Sequence, residues 1–260
     1  MNNIKEIINF NLHPIDDFSY INKCKKKINS ESILILDNFL NIKSLNTIIA
    51  EAKNLEEKAF YCSQNHTILL LKKNESESNN DPLNVEVKSD KGCIPHDLID
   101  KKSHLNILYY SESFRFFLKK ILNLKNIFSY CDSLSSINYN YYQKNQQLGW
   151  HFDNASFAIT LMVQSPEEGG EFQYINKGRD FASNYIDKKY IKEVIDNNAE
   201  TNNLNVAPGT LVLFYGRNYL HRVTKVKSTK PRILVTLNYN EEDGIELSEN
   251  ARLTFFGRKF

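Results

Sequence analysis

The first half of the chain carries its apolar residues mainly at helical spacing. Residues 1–30 predict a polar helical segment, and the apolar run at 33–39 (ILILDNF) predicts a short strand. Apolar positions then recur every three or four residues at about 42–58 and again at 111–122, which predicts two amphipathic helices. The polar stretch 74–81 (NESESNND) predicts a surface loop between them.

From residue 132 the pattern changes to short runs of β-branched and aromatic residues, several bounded by Gly, Pro or Asn. Strands are predicted at 135–142, 157–164, 170–175, 210–215 and 232–239. The interruption at 176–203 predicts a surface excursion with a helix at 185–195, and a lid over a site is the alternative interpretation. Helices followed by antiparallel strands predict an α+β fold with a double-stranded β-helix (jelly roll) core and N-terminal helices packed on it. We expect one domain over 1–260, helical to about 130 and a jelly roll from about 131.

Composition narrows the class of protein. A length of 260 residues suits one well-packed domain, and 41% hydrophobic with 25% charged residues is ordinary for a globular chain. A net charge of +2 argues against a nucleic-acid surface. The four cysteines are scattered without a CxxC pair, and the chain has neither a signal-peptide pattern nor a membrane-length apolar run. We therefore expect a cytoplasmic protein with no membrane partner, and make no prediction about its oligomeric state.

Metal-ligand chemistry is concentrated in the predicted strands. His151 and Asp153 are two residues apart, so on an extended segment they share a face and can reach one cation. That pair alone is a weak signal, but His221 follows the strand TLVLFYG and adds a second imidazole. Two imidazoles and one carboxylate form the facial triad of non-haem Fe(II) oxygenases, which leaves positions open for cosubstrate and O₂. Zinc uses the same ligands, so the triad alone does not identify the metal.

Arg232 lies eleven residues after His221, at the start of the predicted strand RILVTLNY. A guanidinium inside a barrel is costly unless a carboxylate pairs with it, and it is suited to grip one bidentately. The distal carboxylate of 2-oxoglutarate meets that need. Asn140 and Tyr142, upstream of His151, are predicted to hydrogen-bond the same oxoacid.

Strand periodicity suggests further residues that face a substrate. Thr236 and Asn238 share the face of Arg232, and Asn138 shares that of Asn140. Asn154, directly after the candidate ligand Asp153, and Asp132 complete the candidates, although each also has a purely structural interpretation. The tail residues Phe255 and Phe256 are candidates to close over the pocket, whereas His13, His66, His96 and His104 are interpreted as structural or surface residues.

Together these motifs resemble the 2-oxoglutarate/Fe(II) dioxygenase superfamily, which is marked by HxD, a distal His and an Arg about ten residues later. The longer strings LGWHFDN, SPEEGGEFQY, PGTLVLFYGRNYLHRV and FFGR resemble the bacterial branch of free amino-acid radical halogenases and their hydroxylase relatives. The resemblance extends from about Ile33 to Arg258. It implies Fe(II) ligation by His151, Asp153 and His221, and oxoglutarate contact from Arg232, Asn140 and Tyr142.

The resemblance also implies an activity. Halogenases of this branch replace the metal carboxylate with Gly or Ala, whereas Asp153 is present here, so hydroxylation is favoured. The implied reaction uses Fe(II), 2-oxoglutarate and O₂ on a small substrate, a free amino acid such as lysine or another polar one, and releases succinate and CO₂. The neutral Asn154 weakens a specific lysine reading. The alternatives are a peptide or protein side-chain hydroxylase and a cupin-like metal-binding module without oxygenase activity.

Overall fold

The helices lie mainly before the barrel strands. The computed structural model describes residues 4–78 and 80–260, so Met1–Asn3 of the predicted helical segment and Asn79 of the predicted loop lie outside the described residues. The helices are α1 (Phe18–Glu31), α2 (Ile42–Leu55), α3 (His104–Tyr109), α4 (Glu112–Ile121), α5 (Lys188–Ile195) and α6 (Glu249–Phe256). α1, α2 and α4 begin where the side chains of Asp17, Asn41 and Ser111 accept a hydrogen bond from a first-turn backbone N–H.

Two antiparallel sheets form the core of the fold. The strands are β1 (Ile33–Leu36), β2 (Phe60–Thr67), β3 (Glu86–Ile94), β4 (Phe128–Ser129), β5 (Ile137–Tyr142), β6 (Leu148–His151), β7 (Ala158–Gln164), β8 (Phe172–Tyr174), β9 (Arg179–Asp180), β10 (Tyr185–Ile186), β11 (Asn202–Leu204), β12 (Leu211–Phe214), β13 (His221–Val223), β14 (Arg232–Leu237) and β15 (Tyr239–Asn240). The major sheet has the order β1-β12-β7-β14-β5-β3-β2, and the minor sheet β11-β8-β13-β6. β9 pairs with β10, and β4 with β15. The predicted α+β class and jelly-roll core are confirmed.

The outer face of the major sheet packs against the helices. Along β14, Ile233, Val235 and Leu237 are buried in the large core that also contains residues of α1 to α4. On β5 the phenol of Tyr139 donates to the carboxylate of Glu51 in α2 at 2.7 Å. Because side chains alternate along a strand, the intervening residues of β5 and β14 face the minor sheet and the space between the sheets.

The predicted helical region contains two strands that its sequence pattern did not reveal. β2 and β3 form a long antiparallel pair, and β3 pairs with β5, so both belong to the major sheet. Their inward-facing positions hold polar residues such as Gln64, Ser89 and Lys91, which line a cavity. A strand that faces a polar cavity lacks the apolar alternation by which strands are recognised. For that reason the prediction of a helical region up to about residue 130 was wrong at β2 and β3. The short helix α6 near the C-terminus was also not predicted.

The interruption at 176–203 is an ordered excursion rather than a structureless loop. It contains β9, β10, α5 and the start of β11. Ile191 and Val194 of α5 pack in a second apolar cluster with Trp150, Phe152 and Leu220. The excursion is thereby attached beside β6, and its role as a lid stays a prediction. Among the described residues no helix is both long and apolar enough to cross a bilayer.

Candidate metal centre

The two sheets bring the predicted metal ligands together. His151 ends β6 and His221 begins β13, and the two residues are direct partners in the antiparallel register. Asp153 follows two residues after His151, and its Oδ1 lies 3.5 Å from Nε2 of His151 and 3.6 Å from Nε2 of His221. One donor atom from each residue lies within 4.8 Å of the others, so a single cation can contact all three.

Backbone carbonyl groups orient both imidazole rings. Nδ1 of His151 lies 2.8 Å from the carbonyl oxygen of Gly149, and Nδ1 of His221 lies 2.9 Å from that of Tyr219. If each Nδ1 carries the proton and donates it to the carbonyl, each Nε2 keeps its lone pair free for a metal. Burial and the neighbouring His151 lower the pKa of His221 to about 4, against the opposite effect of Asp153, so this ring is neutral at pH 7. Neutral imidazole is the form that binds metal.

The carboxylate of Asp153 depends on a glycine across the site. The backbone N–H of Asp153 donates to the carbonyl of Gly216 at 3.0 Å. A Cβ added at Gly216 would overlap Oδ2 of Asp153, so only glycine leaves room for the carboxylate here. Burial raises the pKa of Asp153, but His221, His151 and Lys91 outweigh that effect and bring it to about 2. The group is therefore an anion ready to bind a cation.

A cavity of about 250 Å³ opens between the sheets at these three residues. Its walls come from β2, β3, β5, β7, β12 and β14 of the major sheet and from β6, β8, β11 and β13 of the minor sheet. The lining surface is predominantly apolar and includes Leu148 and Val223, and the ring centroids of Phe172 and Phe214 lie 5.5 Å and 5.1 Å from that of His221. Enclosed apolar cavities with a few convergent polar groups are typical of small-molecule sites.

Arg232 lies on the cavity wall with part of its donor capacity unused. It is 3% exposed, and its Nε donates to the carbonyl of Gly170 at 3.0 Å. Its Nη1 is buried and has no hydrogen-bond partner among the described residues. An unpaired buried guanidinium donor is costly, which fits a site whose carboxylate partner arrives with a ligand. The donor set at the triad fits Fe(II), and Arg232 fits the free carboxylate of a bound 2-oxoglutarate.

A second cation, Lys91, lines the same cavity and was missed by sequence reasoning. Gly92 of β3 pairs with Tyr141 of β5, so the antiparallel register places Lys91 beside Tyr142. On the other side of Tyr142, its partner is Arg232 of β14. The ammonium group donates to Oδ1 of Asn140 at 2.7 Å. Burial lowers the pKa of Lys91, but nearby Cys93, Tyr142, Cys62 and Asp153 together raise it above its ordinary value, so it is charged at pH 7.

Three of the other predicted residues line the cavity. Asn140 and Tyr142 on β5 and Thr236 on β14 all face it, as strand periodicity predicts. The amide of Asn140 is already engaged, since its oxygen accepts from Lys91 and its nitrogen donates to the carbonyl of Asn138. Contact of Asn140 and Tyr142 with the oxoacid stays a prediction.

The remaining substrate candidates do not line the cavity. The carboxylate of Asp132 accepts from Ser135 and from the backbone of Leu134 and Leu247, which makes it a loop-fixing group. The side-chain amides of Asn138 and Asn238 donate to the backbone carbonyl groups of Leu134 and Ser135, and Asn238 also donates to Oδ1 of Asn138. Asn238 lies between β14 and β15, where the alternation of side chains along the strand is interrupted. Asn154 is exposed, and its backbone oxygen accepts a hydrogen bond from Arg217. None of these four side chains lines the cavity, and their contact with a substrate stays a prediction.

Two further cavity residues come from distant segments. His66 of β2, interpreted from sequence as structural or surface, lines the cavity with its ring centroid 6.3 Å from that of His151, while its Nε2 contacts Ser89 Oγ at 2.6 Å. Phe255 of α6 also lines the cavity, as expected for a residue that closes over the pocket, whereas Phe256 is buried in a small apolar cluster. If β2 had been predicted as a strand, the alternation of its side chains would have placed His66 on the cavity face.

Comparison with known proteins places this geometry in a wider context. Residues 17–252 match the family model described as Halogenase D. No curated protein sequence matches the chain. Among solved structures, the chain is similar to a 2OG-Fe(II) oxygenase family oxidoreductase from Burkholderia pseudomallei, with 13% identity, 87% of this chain and 93% of that chain covered, and a TM-score of 0.52.

Two more structures share the fold. The non-haem α-ketoglutarate-dependent epimerase SnoN from nogalamycin biosynthesis is 10% identical over 86% of this chain and 81% of its own, with a TM-score of 0.57. A prolyl hydroxylase from Trichoplax adhaerens, solved with a hypoxia-inducible factor peptide fragment, is 10% identical over 88% and 92%, with a TM-score of 0.52. At these identities the likeness concerns the fold alone.

The family match and the fold define the class: an enzyme with the fold of the 2-oxoglutarate- and Fe(II)-dependent oxygenases, in which the triad fits Fe(II) and Arg232 fits 2-oxoglutarate. Within that class the chain belongs to the Halogenase D family.

Proposed function

We propose that this enzyme hydroxylates an unactivated C–H bond of a small substrate, a free amino acid, and releases succinate and CO₂. The observation that carries the proposal is that a complete His-Asp-His triad and the guanidinium of Arg232, with its unpaired Nη1, line the same cavity between the sheets. The first suits Fe(II), and the second suits the far carboxylate of 2-oxoglutarate.

Asp153 supports hydroxylation over halogenation within a family named for halogenases. Its Oδ1 lies within 3.6 Å of both imidazole Nε2 atoms, so this carboxylate takes the coordination position that a halide would need. These three side chains would hold the metal and would leave it able to bind the cosubstrate and O₂.

Each residue has a specific part in the proposed reaction. His151, Asp153 and His221 would hold the metal, and the metal would supply O₂ activation coupled to decarboxylation of 2-oxoglutarate. The backbone carbonyl groups behind the two imidazoles fix the ring orientation. Arg232 binds and orients the cosubstrate, and the apolar residues around the triad exclude water from the reacting centre.

The form of the cavity supports a small substrate rather than a peptide. The 176–203 excursion is ordered, and Leu204 and Val206 just after it contribute to the cavity wall. Phe255 covers the wall near Lys91, with the Lys91 ammonium 5.1 Å from its ring centroid. A peptide substrate would favour an open groove instead.

Succinate release from anaerobically Fe(II)-loaded enzyme, started with 2-oxoglutarate and O₂, tests this function across the proteinogenic amino acids with mass detection. We expect substrate-dependent succinate and a product heavier by one oxygen atom. Binding of 2-oxoglutarate without stimulation by any amino acid would turn attention to a peptide or another metabolite. Absence of 2-oxoglutarate binding would contradict the proposal and favour a metal-binding module without oxygenase activity.

A further inference from the structure

Asp153 lies on a loop that few hydrogen bonds hold in place. This metal loop, residues 152–157, connects β6 to β7 without regular secondary structure. Its first two backbone N–H groups donate to the carbonyl groups of Ile68 and Gly216, at 2.8 Å and 3.0 Å. Beyond Asp153, every hydrogen bond that reaches the loop from the described residues comes from the side chain of Arg217. This arginine is therefore the main polar restraint on the part of the loop that follows the carboxylate.

Arg217 contacts the metal loop with two donors. Its Nε donates to the backbone oxygen of Asn154 at 3.0 Å, and its Nη2 donates to the same oxygen. Gly216, which directly precedes Arg217, accepts from the backbone N–H of Asp153. Two consecutive residues of the connection between β12 and β13 thus bind two consecutive residues of the metal loop. Because these bonds lie on both sides of the Asp153 Cα, they restrain the direction in which its carboxylate points.

The 176–203 excursion contacts Arg217 from the other side. The guanidinium carbon of Arg217 lies 4.4 Å from the ring centroid of Phe181, which lies between β9 and β10. The backbone N–H of Phe181 donates to Oδ1 of Asn218 at 2.9 Å, so the ring is fixed to the same connection that carries Arg217. A cation on an aromatic face is attracted by the ring quadrupole, which favours one orientation of this guanidinium.

A second arginine joins the excursion to the metal loop directly. The guanidinium carbon of Arg179 lies 5.1 Å from the ring centroid of Phe181 and 4.8 Å from that of Phe152, a residue of the metal loop. The excursion therefore contacts the loop in two ways, through Arg179 on Phe152 and through Phe181 on Arg217.

We propose that Arg217 is a positioning residue for the metal carboxylate, and that the 176–203 excursion acts on the metal centre through it. The inference rests on the proposed function, since it concerns the triad that would hold Fe(II). Arg217 does not line the cavity and acts through the backbone from which Asp153 reaches the cation. The excursion then serves to fix the metal loop, so that the carboxylate keeps the coordination position that an external anion would take.

Metal affinity measures how firmly Asp153 is held. Co(II), which gives visible absorption bands, is titrated into the metal-free protein without O₂. In Arg217→Met we expect the affinity for Co(II) to fall about 10–100-fold, the range for groups that orient a metal ligand. Arg217→Lys keeps the charge but not the planar fork of donors, and should recover part of the affinity.

Arg222→Met is the matched control for this titration. Arg222 also stacks on an aromatic ring, with its guanidinium carbon 4.5 Å from the ring of Trp150. Its Nε donates to the side chain of Gln173 at 2.7 Å and not to the metal loop. We therefore expect Arg222→Met to keep the Co(II) affinity of the unaltered protein.

Azide is the probe for the coordination position itself. A carboxylate that leaves the metal frees one position and removes one negative charge, so an added anion binds more tightly. We expect Co(II)-loaded Arg217→Met to bind azide more tightly than the unaltered protein and less tightly than Asp153→Gly, as followed by the visible bands. A general loss of stability would not raise the affinity for an anion.

Phe181→Ala tests whether the excursion acts through Arg217. We expect the Co(II) affinity to fall about two- to fivefold, as the loss of one exposed cation–π contact predicts. In the Arg217→Met background the same change should have no further effect, because the two residues act as a unit. Phe181→Trp should keep the affinity, and so should Tyr185→Ala, the control on an exposed aromatic residue of the neighbouring strand β10.

The outcomes distinguish this inference from the proposed function. If the unaltered protein binds neither Co(II) nor Fe(II), the proposed function fails, and the inference fails with it. If it binds the metal, the inference is overturned when Arg217→Met keeps the Co(II) affinity, or loses it without a gain in azide binding. The part assigned to the excursion is overturned if Phe181→Ala lowers the affinity equally with and without Arg217.

Discussion

The two faces of the major sheet follow different rules, and β14 shows both along one strand. On the helix side, Ile233, Val235 and Leu237 are at most 1% exposed and pack in the main core. On the cavity side, Arg232, Leu234 and Thr236 line the cavity, and Nη1 of Arg232 has no hydrogen-bond partner among the described residues. The helix-side face stabilises the fold, whereas the cavity-side face presents groups that can bind a ligand.

Mutations on the two faces of the major sheet should have different effects. Substitutions on the helix face should lower the free energy of unfolding and affect activity through folding. Substitutions on the cavity face should reduce binding or turnover with less loss of stability, because Arg232, Leu234 and Thr236 are not part of the main apolar core. Sites of function commonly break the rule that buried polar groups are satisfied.

The largest effect is expected for His221→Ala. Turnover should fall more than about a hundredfold, since even the groups that orient a metal ligand are worth 10–100-fold. Fe(II) titration followed by succinate release measures this loss, and thermal unfolding of the metal-free protein should change little. A variant that keeps normal turnover would show that the triad is not the metal site.

Arg232→Met tests the unpaired cation on the cavity face. The affinity for 2-oxoglutarate should fall by roughly thirtyfold or more, because one partner of a buried charge pair costs about 2–5 kcal/mol. The free energy of unfolding without ligand should stay equal or rise, since the buried and partly unsatisfied guanidinium is gone. Calorimetric titration and urea unfolding give the two quantities, and a large loss of stability would contradict the assignment.

Leu237→Ala and Leu234→Ala compare the two faces with the same chemical change. Leu237→Ala should cost about 2–5 kcal/mol of unfolding free energy because it leaves a void in a packed core. Leu234→Ala should cost less, because it enlarges an existing cavity, and should alter the KM for the substrate. Equal losses of stability in urea unfolding would remove the distinction between the faces.

Gly216→Ala should weaken metal binding without removing a ligand. The added methyl group overlaps the carboxylate position of Asp153, so that side chain must move. We expect the Fe(II) affinity to fall about 10–100-fold, the range for groups that orient ligands. Gly244→Ala is the control: nothing lies within 4 Å of a Cβ at Gly244, but its φ is +77°, so this change should strain a distant turn and lower stability without altering the Fe(II) affinity.

The smallest expected effect concerns the reactivity of Cys62, which lines the cavity. A hydrogen bond from Cys93 lowers the pKa of Cys62, against the effect of burial, and the positive charge of Lys91 lowers it further. Because the thiolate is the reactive form, Cys62 should be alkylated by iodoacetamide at pH 7 about threefold or more faster than an ordinary thiol of equal exposure.

Mass spectrometry of the alkylated protein at a series of pH values gives the midpoint for Cys62, with the exposed Cys131 as an internal reference. Below that midpoint the thiol is protonated and the rate falls. Lys91→Met should shift the midpoint to higher pH. An unchanged midpoint would show that Lys91 does not act on Cys62.

The amino-acid sequence predicted those site residues that lie close to one another in the chain. His151 and Asp153 are two residues apart on an extended segment, His221 and Arg232 flank a single strand connection, and Thr236 follows Arg232 at strand period. Those spacings follow from covalent geometry, so a sequence pattern is enough to place them. The helices α2 and α4 were predicted for the same reason, since their apolar stripes face one continuous core.

Only the tertiary structure decided which distant residues meet the triad. Lys91, His66 and Phe255 come from segments far from His151 in the chain, and the polar cavity face of β2 and β3 hides the alternation that would reveal these strands. Asp132 and Asn238 have suitable chemistry, yet local hydrogen bonds hold both away from the cavity. Local spacing thus determined the metal-ligand motif, whereas long-range strand pairing determined the charge of the cavity, because register between distant strands depends on packing that no short segment encodes.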